Sequence, residues 1–281
     1  LPPAGRYDKG IFLNPIAKDQ LAFFSTFHGV PAKDLLHDKQ FKKVMKSFVP
    51  NCMFHYGRDM GLDDALDMVM GGSKTPVQVR EGRYLLVSGT GGPYLGGRAF
   101  LWVDLQEGIG LGGFWFHPTN GEPTPSLVIF SRQVKAQQLS LGELPPAFGD
   151  DLYAWTSDVR VPVLSTRYFI TGGNKRILLE HDEDFCSPAY GAARGAAAQC
   201  MQMNADVADV DETAAYYLDQ VNYRTNATAW MIGTEQVAWI GVRDRTCLGV
   251  PDLLGCRIRV TREHTRVILR GGGGGGRVGR R

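Results

Sequence analysis

The sequence predicts an α+β fold, on three observations. Apolar residues near the N-terminus recur at helical spacing, the middle of the chain is a series of short β-branched and aromatic runs, and four of the five cysteines crowd into a helical last third. A chain of 281 residues is long enough for two ordinary domains. We expect an α+β domain over residues 1–183, a four-cysteine helical domain over 184–270 and a flexible Gly/Arg tail over 271–281.

Taken in order, Asn14 to Val49 reads as helical. Ile16, Leu21, Phe24 and Phe27 fall near a 3.6-residue period, and Pro31 opens a second helix carrying Leu35, Leu36, Phe41, Val44, Met45 and Phe48 until Pro50 stops it. Lys39, Lys42, Lys43 and Lys46 take its other side and read as a solvated face. A third helix is expected from Leu62 to Met70, with Asp63 and Asp64 in the first turn, where the helix dipole favours carboxylates, and Gly71-Gly72 at its end. From Val77 the period shortens to that of strands. Val77–Arg80, Arg83–Val87, Arg98–Asp104, Gly110–Phe116 and Ser126–Ser131 read as an antiparallel meander with the helices over one face. Leu152–Thr156, Val159–Val163, Arg167–Thr171 and Lys175–Leu179 read as further strands, with Gly172-Gly173-Asn174 a hairpin-type turn and Pro145-Pro146 a surface connection.

Composition excludes several classes. A net charge of +2 does not supply the clustered basic field that nucleic acid requires. Apolar runs such as Ala99–Val103 are far shorter than the roughly 20 residues that span a bilayer. The chain starts at Leu1-Pro-Pro, as removal of a signal peptide would leave it, although trimming would leave the same start. The glycine-rich stretch Gly89–Gly97 lacks the following helix and the lysine of a phosphate loop and reads as a long hairpin loop. His117 to Pro125 sets His117 near Glu122, but no second histidine, serine elbow or paired carboxylate accompanies them, so no catalytic residue is assigned. Glu180-His-Asp-Glu-Asp184 lacks the ligand spacing of a calcium loop and reads as a solvated link or an acidic contact patch. Asn226-Ala-Thr228 matches a glycosylation sequon and equally caps a following helix. No metal or cofactor is expected.

The last third carries the specific signal. Val210, Ala214, Tyr217, Leu218 and Val221 mark one long helix, and Trp230, Gly233, Val237 and Ile240 mark a second, which together form a hairpin. Cys186, Cys200, Cys247 and Cys256 lack paired zinc spacings and read as disulfides of an oxidising compartment, with Cys52 left as a buried thiol. The hairpin would bring Cys200 near Cys247 and Cys256, so pairings between the two groups are sterically sensible, while all three connectivities of four cysteines stay open. Gln236, Trp239, Arg243 and Cys247 share a face of the second helix, with Asp244 beside Arg243. Arg243 should reach Asp209 or Asp211 with a charge-assisted hydrogen bond.

This segment resembles the LprI-like lysozyme-inhibitor family, small cysteine-containing helical domains of bacterial secreted or envelope proteins. The resemblance lies in Phe185-Cys186 with Cys200, Val210-Asp211 with Tyr217, the run Gln236, Trp239, Arg243, Asp244, Cys247, and Cys256 followed by Thr261 and Leu269. It implies a periplasmic or secreted protein that binds another protein, a lysozyme or a peptidoglycan hydrolase. The loop Gly249–Gly255, with Asp252, Leu253 and Leu254 at its centre, is the expected contact. A periplasmic immunity protein against a delivered toxin and an envelope hydrolase using His117 and Glu122 are the alternatives.

Overall fold

The structure, a computed structural model, describes residues 7–56, 58–92, 96–116, 126–135, 139, 141–161, 166–179, 197–223 and 229–271. The fold is α+β, in two compact units: one holds the described residues up to Leu179, the other those from Ala197.

The N-terminal helices are more broken than their apolar period suggests. Residue Asn14 has a positive φ of 54°, and the first helix is one turn, α1 (Lys18–Leu21), followed by a 3-10 stretch, Ala22–Phe27. The expected second helix is two, α2 (Ala32–His37) and α3 (Lys39–Phe48). Between them Asp38 leaves helical geometry, and its carboxylate accepts from Gln40 N at 2.8 Å and Phe41 N at 2.9 Å, capping α3. Periodicity alone runs through such a break, because the apolar face continues on both sides of it. Leu35, Leu36, Phe41, Val44 and Phe48 are buried, and the four lysines are exposed. A two-stranded ribbon, β1 (Met53–His55) with β2 (Asp59–Gly61), leads into α4 (Leu62–Met70).

A seven-stranded sheet follows in sequence order: β3 (Gln78–Arg80), β4 (Tyr84–Gly91), β5 (Gly97–Asp104), β6 (Ile109–Phe116), β7 (Ser126–Phe130), β8 (Thr166–Ile170) and β9 (Arg176–Leu178). Every pair is antiparallel except β7 with β8, which is parallel. A parallel pair needs a crossover, and the crossover carries a helix. That helix is α5 (Pro146–Asp158), where the sequence reading has strands at Leu152–Thr156 and Val159–Val163. The aromatic and branched residues of Tyr153-Ala-Trp-Thr suggest a strand, but Phe148, Leu152 and Trp155 are spaced as one helix face, and all three are buried. Pro146 stands in the first turn, where proline costs nothing.

Helix α5 covers the face of the sheet formed by Phe100, Trp102, Leu111, Ile129 and Phe169. The opposite face meets α3 and α4. With both faces covered, β6 and β7 are buried at every residue and cannot show the polar alternation of a one-sided sheet. The strand β6 fits because its glycines make room for neighbouring rings: a Cβ on Gly110 would lie 2.3 Å from the Phe48 ring of α3, and one on Gly112 would lie 2.2 Å from the ring of Phe130 on the adjoining β7. Gln133 ties the N-terminal segment to this sheet, accepting from Gly110 N at 2.7 Å and donating to Gly108 O at 2.8 Å and Asn14 O at 3.2 Å.

Among the described residues the second unit has three helices, α6 (Ala197–Tyr223), α7 (Ala229–Thr246) and α8 (Leu253–Gly271), so the expected hairpin gains a third member, α8, packed along α6. Among the described residues no helix is long and apolar enough to cross a membrane.

Replacing Gly110 by Ala should lower unfolding free energy by about 1–3 kcal/mol, the usual range for overpacking a well-packed core. Equilibrium urea denaturation measures it, and a variant as stable as the parent would show that Phe48 has room to move.

Candidate functional site

The loop expected to make contact is shorter than Gly249–Gly255, because α8 begins at Leu253 and takes Leu253 and Leu254 into its first turn. Its ends are joined: Cys247 and Cys256 form a disulfide across a sequence separation of nine. Of the three connectivities the sequence leaves open, this selects the one that pairs Cys247 with Cys256 and not the cross-group pairings that the hairpin made sterically sensible. The pair closes locally, and neither sulfur remains for Cys186 or Cys200. Cys186 lies outside the described residues, and Cys200 stands in the first turn of α6. In the chain-entropy picture a loop this short contributes about 2–3 kcal/mol. Cys52 keeps its thiol and is half-buried where full burial was expected.

Asp252 is the helix cap. Its Oδ1 accepts from Gly255 N at 3.0 Å, and its Oδ2 faces Arg259 Nη1 at 3.4 Å. Gly255 allows this fold-back, since a Cβ there would sit 1.9 Å from the Asp252 carboxylate. The sequence signal was legible: an aspartate directly before an apolar pair and a long basic run marks a helix start. With cap and disulfide holding both ends, the loop presents apolar side chains to solvent. Leu248 is 82% exposed, Leu253 49% and Val250 36%.

Behind the loop lies a buried polar network. The face of α7 turned to its neighbours is not the apolar one, since Val237 is 71% exposed and Ile240 41% exposed. Gln236, Arg243 and Cys247 are buried instead. Arg243 donates from Nη1 to Asp209 Oδ1 on α6 at 2.7 Å and from Nε to Asp244 Oδ1 at 3.0 Å. Of the two carboxylates expected, Asp209 is its partner on α6, and Asp211 is half-buried on the same helix. Burial works against the Arg243 cation, but the bond to Asp244 and the charge of Asp209 outweigh it and hold its pKa above the ordinary arginine value. Thr261 Oγ1 on α8 lies 3.5 Å from Asp209 Oδ1, so one carboxylate gathers all three helices. One helical turn along α6, buried Glu212 accepts from Gln236 Nε2 at 3.4 Å and lies 2.8 Å from His264 Nδ1. The His264 ring stacks on Trp239 at 3.6 Å between centroids. These residues fit the role of a structural lattice. Among the described residues no group of His, Cys, Asp and Glu is arranged to hold a metal ion.

The chain matches no family model, no curated protein and no solved structure. Function is therefore argued from this geometry and from the sequence.

The first unit has a cavity of about 580 Å³ lined by Tyr7, Lys9, Arg80, Arg83, Tyr84 and Asp104 among others. Both guanidinium groups flank the Tyr84 ring, at 4.7 Å for Arg80 and 5.0 Å for Arg83, and that ring stacks on Trp102. Each arginine is already matched. Arg80 makes two bonds to buried Asp151, which also accepts from Trp102 Nε1 at 2.9 Å, and Arg83 makes two to buried Asp104. These bonds raise both arginine pKa values. Lys9 pairs with Glu107 at 2.7 Å. A cavity whose cations are so neutralised is poorly suited to capture an anion. The sequence reading missed this network because no local spacing links Arg80 to Asp151. A second cavity of about 470 Å³ sets Lys42, Lys46 and Arg132 with Asp63, Asp64 and Asp67, and its charged walls are exposed. The candidate pair His117 and Glu122, the acidic run Glu180–Asp184, the sequon at Asn226 and residues 272–281 lie outside the described residues.

Two measurements check these assignments. Asp209→Ala strips Arg243 of its interhelix partner and should cost about 2 kcal/mol, less than the roughly 3–5 of a fully buried pair because Asp209 is partly solvated. Thermal unfolding of the whole chain would register it, and an unchanged transition would remove Asp209 from the lattice. The Tyr7 phenol is pushed up to about 12 by burial and by nearby Asp104 and Glu107. A raised phenol pKa means that its contribution is complete below the ordinary value near 10 and is lost as pH climbs through the folded value. Tyr7→Phe should delete one late step from the alkaline ultraviolet titration, and a titration identical to the parent's would contradict the assignment.

Proposed function

We infer that this chain is a binding protein that grips another protein with the disulfide-closed loop from Leu248 to Leu253. The observation that carries the reading is the loop itself. Three aliphatic side chains are held out to water, Leu248 at 82% exposure, on a backbone fixed at both ends by a covalent link and a helix cap. Exposed apolar groups on a rigid support are what a protein interface uses, because a preorganised loop loses little entropy on docking. A structural disulfide also favours an oxidising compartment, which supports an exported protein.

The partner class comes from the resemblance to the LprI-like lysozyme inhibitors, which supports a lysozyme or another peptidoglycan hydrolase as the target. Inhibition requires only that the loop occupy the substrate cleft. Leu248 and Leu253 supply the apolar contact, while Asp252 keeps the loop in shape from within.

The purified chain should slow lysis of cell-wall suspensions by a lysozyme or peptidoglycan hydrolase. Leu248→Asp should raise the inhibitory concentration by about tenfold or more, the loss expected of a central apolar anchor. Asp252→Ala should raise it about fivefold, through loss of a cap contributing about 1 kcal/mol. Undiminished lysis at excess protein, across several hydrolases, would sink the reading.

A further inference from the structure

The outer face of α8 is a row of arginines. Arg259, Arg262, Arg266 and Arg270 follow one another at spacings of three, four and four, which keeps them in a single stripe about 16 Å long. All four are exposed, with the Arg259 side chain at 67% and that of Arg266 at 58%. The opposite side of the same helix is buried through Cys256, Ile258 and Thr261. The fifth arginine, Arg257, turns inward toward Asp209 and Asp244, at 3.7 Å from each, and belongs to the lattice. Two local carboxylates touch the stripe, Asp252 on Arg259 at 3.4 Å and Glu263 on Arg266 at 3.1 Å. Both contacts are exposed and readily exchanged for a stronger anion.

Like charges at helical neighbour spacing repel one another in water. The arrangement becomes favourable when an extended anionic surface lies against it. We propose that the outer face of α8 is a docking surface for an anionic phospholipid bilayer, on which the four arginines bind headgroup phosphates from outside the membrane.

Two features favour lipid over other polyanions. Val267, 57% exposed, and Leu269, 36% exposed, lie on opposite flanks of the stripe and offer apolar contact at its margins, where a phosphate backbone would offer them nothing. A straight stripe on a convex helix also suits a plane better than a cleft. Arginine matches phosphate with two parallel N–H donors, and a cluster of at least four basic residues on an amphipathic helix is the usual scale of such binding. The apolar face of α8 is occupied by the other helices, so the contact is peripheral and electrostatic. The inference stands apart from the reading of the loop, and either can fail alone.

The test is flotation of the full chain with vesicles of phosphatidylcholine alone and of phosphatidylcholine mixed with phosphatidylglycerol. The chain should float with the mixed vesicles only and be released at about 1 M salt, where charges are screened within about 3 Å. Each arginine lost should weaken partition about fivefold, so Arg262→Gln with Arg266→Gln should weaken it about 25-fold, and Arg262→Glu with Arg266→Glu further. Arg262→Lys with Arg266→Lys keeps the charge and should retain binding, and far-UV circular dichroism confirms that each variant is folded. A chain ending at Gly271 should still float, since the stripe is complete before that point. Equal flotation with both vesicle types, or folded glutamate variants that float like the parent, would overturn the proposal. So would complete loss on truncation, or tighter binding to a DNA duplex than to mixed vesicles at equal phosphate.

Discussion

The first unit depends on a sheet that is dry on both faces. A strand covered on one side can place alternate residues in water, but β6 and β7 have no such side, so their sequences are apolar or glycine throughout. Burial on both faces then fixes how close the covering layers come. Phe48 of α3 approaches β6 where Gly110 leaves room for its ring, while on the other side α5 brings Trp155 parallel to Phe100 at 5.4 Å between centroids. The polar groups that enter this interior arrive already paired, as Asp151 does with Arg80 and Trp102. An unpaired carboxylate at that depth would cost more than its packing returns.

The second unit is organised by charge more than by apolar periodicity. Helix α6 carries five carboxylates and no lysine or arginine, whereas α8 carries five arginines and one glutamate. Where the two helices meet α7, Asp209, Arg243, Asp244 and Arg257 use up part of both sets. The four arginines left on α8 face outward and give this unit a local cationic side that the near-neutral total conceals. The apolar residues Val237 and Ile240 are exposed for the same reason: the buried side of α7 is committed to Gln236 and Arg243.

Much of the first unit could be read from the sequence. Strands β3 to β9 lie on the runs that turn residues bound, except that β4 runs on to Gly91, three residues into the glycine-rich stretch expected to be loop, where Gly89 to Gly91 pair with β5; α4 has the expected limits. The readings that failed did so where tertiary context overrides a local signal. Tyr153 to Thr156 has strand-forming residues but lies in a helix, because the parallel return from β7 to β8 must cross the sheet face. Asp38 breaks an apolar period that continues past it. In the second unit the cysteine pairing stayed open among three connectivities, and the structure selects Cys247 with Cys256 across the turn before α8. The arginine stripe went unread because no helix was expected after Cys256, and only the packing shows which side of α8 the other helices occupy.

The two edges of the large sheet have a bearing on solubility. An edge strand exposes unpaired backbone donors and acceptors and can recruit another chain into a growing sheet. Here β3 and β9 are three residues each, and each carries an arginine, Arg80 and Arg176. A recruited strand would find few bonds to make and a guanidinium group beside them. Edges this short give little purchase for extending the ladder, and on β3 the Val79 N–H is already donated to His28 Nδ1 at 3.1 Å.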